Sequence, residues 1–272
     1  MNESITARAC WTIITAAALS LAIMPGCQKE ERIRVVASTE MLEAIAAEVG
    51  GDLVITKSLF PGLTDPAHSQ IGPGHMKSIG DADLLILLGW EEWAIRIPEM
   101  DNAPGEVLTT GIPGSLMLPH NHADAADSVA AGLARIYPGG EVFYRFNLAD
   151  YKARIENEVG EVCGAMARYH GTRVICSDSQ ADFLDYLGLD IVGTYAAGEP
   201  LPPEEAERLI EVGKRNNVRL VAYGVRDGEM PGREIAEGAG AELVPVTDYP
   251  VDGSYIKALR KNVEEITRAL RE

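Results

Sequence analysis

The sequence predicts an α/β protein of two Rossmann-like lobes with parallel sheets, joined by one long backbone helix. Three observations carry that expectation. Across residues 141–170, Leu148, Tyr151, Ile155, Val159, Val162 and Met166 recur at spacings of three and four, one apolar stripe on a helix, and Lys152, Arg154, Glu156, Glu158, Glu161 and Arg168 are the polar residues that suit solvent. Short strand-like runs alternate with helical patterns on both sides of that stretch. The run 83–88 is almost wholly apolar, as in a strand covered on both faces of a parallel sheet.

The helix at 141–170 would span roughly 40 Å, well beyond an ordinary globular helix. Gly160 and Gly164 each cost it about 1 kcal/mol of propensity. The alternative is two shorter helices flanking a single domain. The chain has 272 residues, enough for two lobes of ordinary size. With 24 Lys plus Arg against 41 Asp plus Glu, its formal charge is -17, which repels a nucleic-acid backbone and tolerates small cations.

The N-terminus reads as an export signal. Arg8 precedes an apolar run at 9–23, and Met24-Pro25-Gly26-Cys27 follows. The run is short for a membrane span. The pattern resembles a bacterial lipoprotein signal, which implies lipidation of Cys27. The expected organisation is a signal at 1–27, an N-terminal lobe at 28–140, the connecting helix at 141–170 and a C-terminal lobe at 171–272. After loss of the signal only Cys163 and Cys176 remain, and pairing or two separate thiols are both open.

In the first lobe, strands are expected at 32–37, 53–59 and 83–88, with a short one at 107–109. Met41, Leu42, Ile45, Ala46 and Val49 give a helical face that Gly50-Gly51 ends. A Pro- and Gly-rich loop at 60–75 holds Asp65, His68 and His75, and a short helix at 76–80 follows it. The segment from His120 to Asp124 precedes a helix at 125–137. In the second lobe, strands are expected at 173–176, 189–194, 218–223 and 242–246. Helices are expected after Gln180 and at 204–215, 234–239 and 254–270. In such open parallel sheets, ligands bind at the carboxyl ends of strands. Neither GxGxxG nor GxxxxGK[ST] is found, so neither a dinucleotide nor a P-loop site is expected.

His68, His75, His120 and His122 are all read as loop residues, with Asp65, Asp124 and Asp248 available as carboxylates. Imidazole with carboxylate suits zinc, manganese or ferrous iron. His120 and His122 could chelate one ion only on an extended or looped chain. Trp90 and Trp93, with Glu91 and Glu92, could line a cleft, but packing at a strand end is the preferred reading. Ser177, Asp178 and Ser179 lack a GxSxG elbow, which leaves an enzyme reading thin.

Several stretches carry a resemblance. They are Val35-Val36-Ala37 at the first strand, the loop at Asp65-Pro66, the segment ending in Phe183, and Thr247-Asp248-Tyr249-Pro250 at the last strand end. With the element order, they make 33–270 similar to the periplasmic or lipid-anchored metal-binding proteins of zinc and manganese ABC importers, the TroA-like, cluster A-I group. The resemblance implies two lobes with a metal ion between them, held by three His and one Asp or Glu. It carries over to His68, one residue beyond the usual Asp-Pro-His spacing. It carries over to His120 in a His-x-x-x-Asp pattern with Asp124, with His122 as substitute, and to Asp248. At the third His position this chain has Gln180.

The resemblance therefore implies a substrate-binding component of an ABC importer, not an enzyme. It would capture a divalent metal ion as transported ligand, zinc before manganese or iron, and deliver it to a membrane permease. It would work as a monomer in the cell envelope, lipid-anchored through Cys27 or free in the periplasm. Its affinity would fall as its histidines protonate. The alternatives are a same-fold binding protein for an organic or metal-chelate ligand, and an envelope hydrolase with a His/Asp site.

Overall fold

A computed structural model describes residues 32–62, 69–196 and 200–271. The export segment with Cys27, and Asp65 with His68, lie outside the described residues. Two parallel four-stranded sheets form the frame. The first comprises β1 (Ile33–Thr39), β2 (Val54–Phe60), β3 (Leu84–Leu87) and β4 (Glu106–Thr109), in the order β2-β1-β3-β4. The second comprises β5 (Arg173–Ser177), β6 (Asp190–Tyr195), β7 (Leu220–Gly224) and β8 (Glu242–Val246), in the order β6-β5-β7-β8. Every strand pair is parallel, and the two sheets repeat one topology. In each sheet the strand order reverses beside the first strand, and an open sheet forms its ligand crevice there, at the carboxyl ends.

The helices are α1 (Glu40–Gly50), α2 (Pro73–Gly80), α3 (Pro119–Ile136), α4 (Glu141–Met166), α5 (Ala181–Tyr186), α6 (Pro203–Asn216), α7 (Gly232–Ala239) and α8 (Tyr255–Arg271). The long helix forms as one element, and its last turn tightens to 3-10 geometry at Ala167–Tyr169. Of its stripe, Tyr151, Ile155, Val162 and Met166 are buried.

Strand side chains alternate between two layers. Val35, Ala37, Leu84, Ile86, Val174, Cys176, Leu220 and Ala222 face one continuous core, which also takes residues of α1, α3, α4 and α8. The opposite face of the first sheet packs Val36, Leu85 and Leu87 against Ile79, Trp93 and Ile97. The opposite face of the second packs Ile175 and Val221 against Leu209 and Ile235. The two sheets thus share their inner core through α4, and Arg32–Glu272 form one compact unit. Each fully buried large side chain contributes about 1.5–3 kcal/mol of transfer free energy.

Two loops of the sequence reading are helical. Helix α3 begins at Pro119 rather than at 125, so His120, His122 and Asp124 lie within its first turns. Helix α2 begins at Pro73 and takes in His75. In both, proline supplies the first helical position, where its fixed φ fits and its missing N–H is no loss. Cys163 is exposed on α4 and Cys176 is buried in β5, and both are free thiols. Among the described residues, no helix is long and apolar enough to cross a membrane.

Candidate metal-binding cleft

The carboxyl ends of the two sheets meet around a cavity of about 290 Å³. Thr39 stands at the end of β1, and Leu88 and Trp90 follow β3. Gly114, Ser115 and Leu116 come from the segment before α3. Arg226 and Asp227 follow β7, and Asp248 follows β8. Both switch points contribute.

Each wall is fixed by buried polar side chains. Thr39 caps α1 by accepting the Leu42 N–H at 3.2 Å. The Glu91 carboxylate, 5% exposed, accepts the N–H groups of Leu88 and Gly89, both at 2.8 Å. That bend uses Gly89 at φ +115°, where a Cβ would also sit 2.7 Å from the Thr109 methyl. It aims Trp90 into the cleft, half exposed, while Trp93 is buried in the outer core. The two tryptophans therefore divide between the two readings that the sequence allowed.

The 113–117 segment is held by three residues. Asn121 Nδ2 donates to the carbonyls of Pro113 at 2.8 Å and Ser115 at 3.0 Å. The Tyr255 hydroxyl donates to the Met117 carbonyl at 3.1 Å. His122 Nδ1 lies 3.2 Å from the Leu116 carbonyl, and its Nε2 lies 2.7 Å from the Tyr151 hydroxyl. A carbonyl only accepts, so Nδ1 carries the proton and Nε2 accepts from Tyr151. The imidazole stacks on the Tyr255 ring with centroids 3.7 Å apart. Burial lowers its pKa from 6.5 to about 3, against a smaller opposing effect of the Leu116 carbonyl, so the ring is neutral.

The remaining expected ligands are set differently. His120 is exposed at the second position of α3. On a helix, residues two apart point to opposite sides, so His120 and His122 do not chelate one ion together. His75 accepts the Gly72 N–H through Nδ1 at 3.2 Å and meets the Phe60 ring edge-on. Gln180, 2% exposed, donates to Ser179 Oγ at 3.3 Å. Ser179 Oγ in turn donates to Asp227 Oδ2 at 2.7 Å, and Ser177 Oγ lies 3.1 Å from Ser179 Oγ. These groups form one network at the ends of β5 and β7.

Asp248 lies on a segment that Asn262 clamps from α8. The Thr247 N–H donates to Asn262 Oδ1 at 2.9 Å, and Asn262 Nδ2 donates to the Thr247 carbonyl at 2.8 Å. Asp248 Oδ1 pairs with Arg226 Nε at 3.1 Å. Desolvation raises the Asp248 pKa, and the Arg226 charge opposes that rise. Sequence reasoning missed Arg226, because no periodicity or spacing ties it to Asp248. The parallel pairing of β7 with β8 brings the two strand ends together. Among the described residues, no three His, Cys, Asp or Glu side chains converge at metal-ligand spacing.

The profile of the family described as "ZnuA: Zinc-uptake complex component A periplasmic" matches residues 35–269. The high-affinity zinc uptake system protein ZnuA of Paracoccus denitrificans (strain Pd 1222) is 33% identical over 132 residues, which cover 48% of this chain and 35% of that protein. The match thus spans about a third of that relative's length. A crystal structure of ZnuA aligns with a TM-score of 0.78 at 21% identity, covering 88% of this chain and 99% of the other. A Mn-bound mutant of the periplasmic metal binding protein from Candidatus Liberibacter asiaticus aligns with a TM-score of 0.74 at 15% identity, covering 88% and 100%. The structural neighbours share the α/β architecture of two parallel sheets, and the profile match spans both sheets and the helix between them. The chain belongs to the ZnuA family of periplasmic zinc-uptake components.

Proposed function

We propose that this protein is the substrate-binding component of an ABC importer, capturing a divalent transition metal in the cell envelope and delivering it to a membrane permease without chemical conversion. Zinc is the preferred cargo, ahead of manganese or iron. Residues 28–140 and 171–272 act as the two lobes, 141–170 as their connector, and lipidated Cys27 as the anchor of a monomer. The observation that carries this reading is the position of Asp248. It is a clamped carboxylate at a strand end, in a cleft walled by the carboxyl edges of both sheets. Such a cleft suits capture between lobes, and a carboxylate with imidazole suits zinc.

The proposed ligands are His68, His120 and Asp248, with water completing the shell. Three protein ligands and water are chemically adequate for a zinc ion. His122 serves instead as a support, since both of its ring nitrogens are engaged in the wall network, and Gln180 is tied through Nε2 to Ser179. Zinc affinity, read by competition with a chromophoric chelator, tests the assignment. Asp248→Ala and His120→Ala should each weaken zinc binding by at least roughly tenfold while the circular dichroism spectrum is unchanged. Unaltered affinity in the Asp248→Ala protein would remove this carboxylate, and with it the cleft, from the account.

A further inference from the structure

Arg226 crosses the cleft between the two sheets. Its Nε is 3.1 Å from Asp248 Oδ1, at the end of β8. A terminal nitrogen is 3.8 Å from Glu40 Oε2, at the start of α1 beside the first sheet. The guanidinium carbon lies 5.3 Å from the centroid of the Tyr249 ring. The side chain is only 12% exposed, whereas the Asp248 side chain is 39% exposed. The cation is therefore packed in place, and the carboxylate it holds is reachable from the cleft.

Among the described residues, the charges here do not balance. One guanidinium faces the carboxylates of Glu40 and Asp248, and Asp227 lines the same cavity. The surplus is negative, so the cleft favours a cation over an anion while Arg226 is in it. A guanidinium has no lone pair to give a metal ion, and it does not lose its proton in a protein. It cannot join the coordination shell. Standing against the same carboxylate, it repels a doubly charged ion.

We propose that Arg226 is a tethered competitor of the cargo cation, so that a metal ion takes the Asp248 carboxylate only by displacing the guanidinium. This rests on the reading of Asp248 as a metal ligand. Displacement also parts Arg226 from Glu40, which couples capture at the second sheet to a contact on the first. The same competition favours unloading, because the guanidinium returns to the carboxylate as the ion leaves. Arg226 thus sets the affinity of the site without touching the ion.

Zinc affinity and the rate of zinc transfer to an excess of chelator would be measured for the wild type, Arg226→Gln and Arg226→Lys. Arg226→Gln is expected to tighten zinc binding by about tenfold or more and to slow release, whereas Arg226→Lys keeps a cation and stays near the wild type. Thermal melting checks the fold. Should the glutamine variant fail to fold, Arg226→Met keeps the length and the packing on Tyr249 and carries the same expectation. Zinc binding by the wild type with equal or weaker binding by the uncharged variant would overturn the competitor role and leave the function standing. Absence of zinc, manganese and iron binding in every variant would overturn the function itself, and the competitor role with it.

Discussion

His122 Nε2 accepts the hydroxyl proton of Tyr151 at 2.7 Å, joining the first turns of α3 to the middle of α4. Because Nδ1 of the same ring donates to the Leu116 carbonyl, the bond helps to set a wall of the cleft. Both side chains are at most 1% exposed, so water does not replace a lost partner.

Tyr151→Phe should therefore destabilise the protein by about 1–3 kcal/mol, the cost of an unsatisfied buried acceptor. Urea denaturation reads that loss as a lower midpoint at an unchanged slope. Zinc affinity should change far less than in Asp248→Ala. A loss of zinc binding as large as that of the aspartate variant would place the His122–Tyr151 pair in the ligand shell instead of behind it.

The same ring makes stability depend on acid. Burial lowers the His122 pKa from 6.5 to about 3. Below 6.5 the unfolded chain takes up a proton here that the folded chain refuses until about 3. The unfolded state binds more protons across that window, so stability falls as pH drops through it, by at most roughly 1.4 kcal/mol per unit from this group. Replacing His122 by Asn should lower stability at neutral pH and flatten the loss between neutrality and pH ~5. Parallel curves for variant and wild type would mean that this imidazole does not carry the acid sensitivity.

Asn262, 1% exposed, both accepts from and donates to the backbone of Thr247. Asn262→Leu keeps the number and branching of side-chain heavy atoms and removes both bonds. It should cost about 1–3 kcal/mol, since the Thr247 amide and carbonyl are left unpaired. It should also weaken zinc binding, because Asp248 is the next residue. A variant that melts lower yet keeps full affinity would show that Asp248 needs no clamp.

The core common to both sheets bears on motion. Val35 and Leu84 of the first sheet and Val174 and Leu220 of the second belong to one buried cluster with Tyr151 and Ile155 of α4. A wide hinge would open that packing, so metal capture should produce only a small tilt. X-ray scattering with and without zinc should give the same radius of gyration within error. A clear compaction on adding zinc would contradict the stiff connector.

The fold was largely legible in the sequence, because its signals are local. The stripe from Tyr151 to Met166 gave the long helix, and the apolar run at 83–88 gave β3. Proline at 73 and 119 marks a helix start as readily as a loop, and the residues after it hid the first turn of α2 and of α3. Trp90 and Trp93 show the same limit, since a cleft-lining ring and a core ring lie only three positions apart. The cleft was legible only as a location, the carboxyl ends of parallel strands. Arg226 and Asp248 lie 22 positions apart, and only the pairing of β7 with β8 makes them neighbours. His122 looked like a ligand because its burial and both ring partners depend on tertiary contacts.

The central claim is that the cleft holds a metal ion as cargo. Its most direct test is the metal content of the protein from residue 28 onward, purified without a His tag, by elemental analysis before chelation, after it, and after reloading with zinc, manganese or iron. The account predicts close to one equivalent of zinc, lost to the chelator and recovered on reloading. Protein that neither retains nor reloads any of the three metals would contradict it and turn the search to an organic ligand in the same cleft.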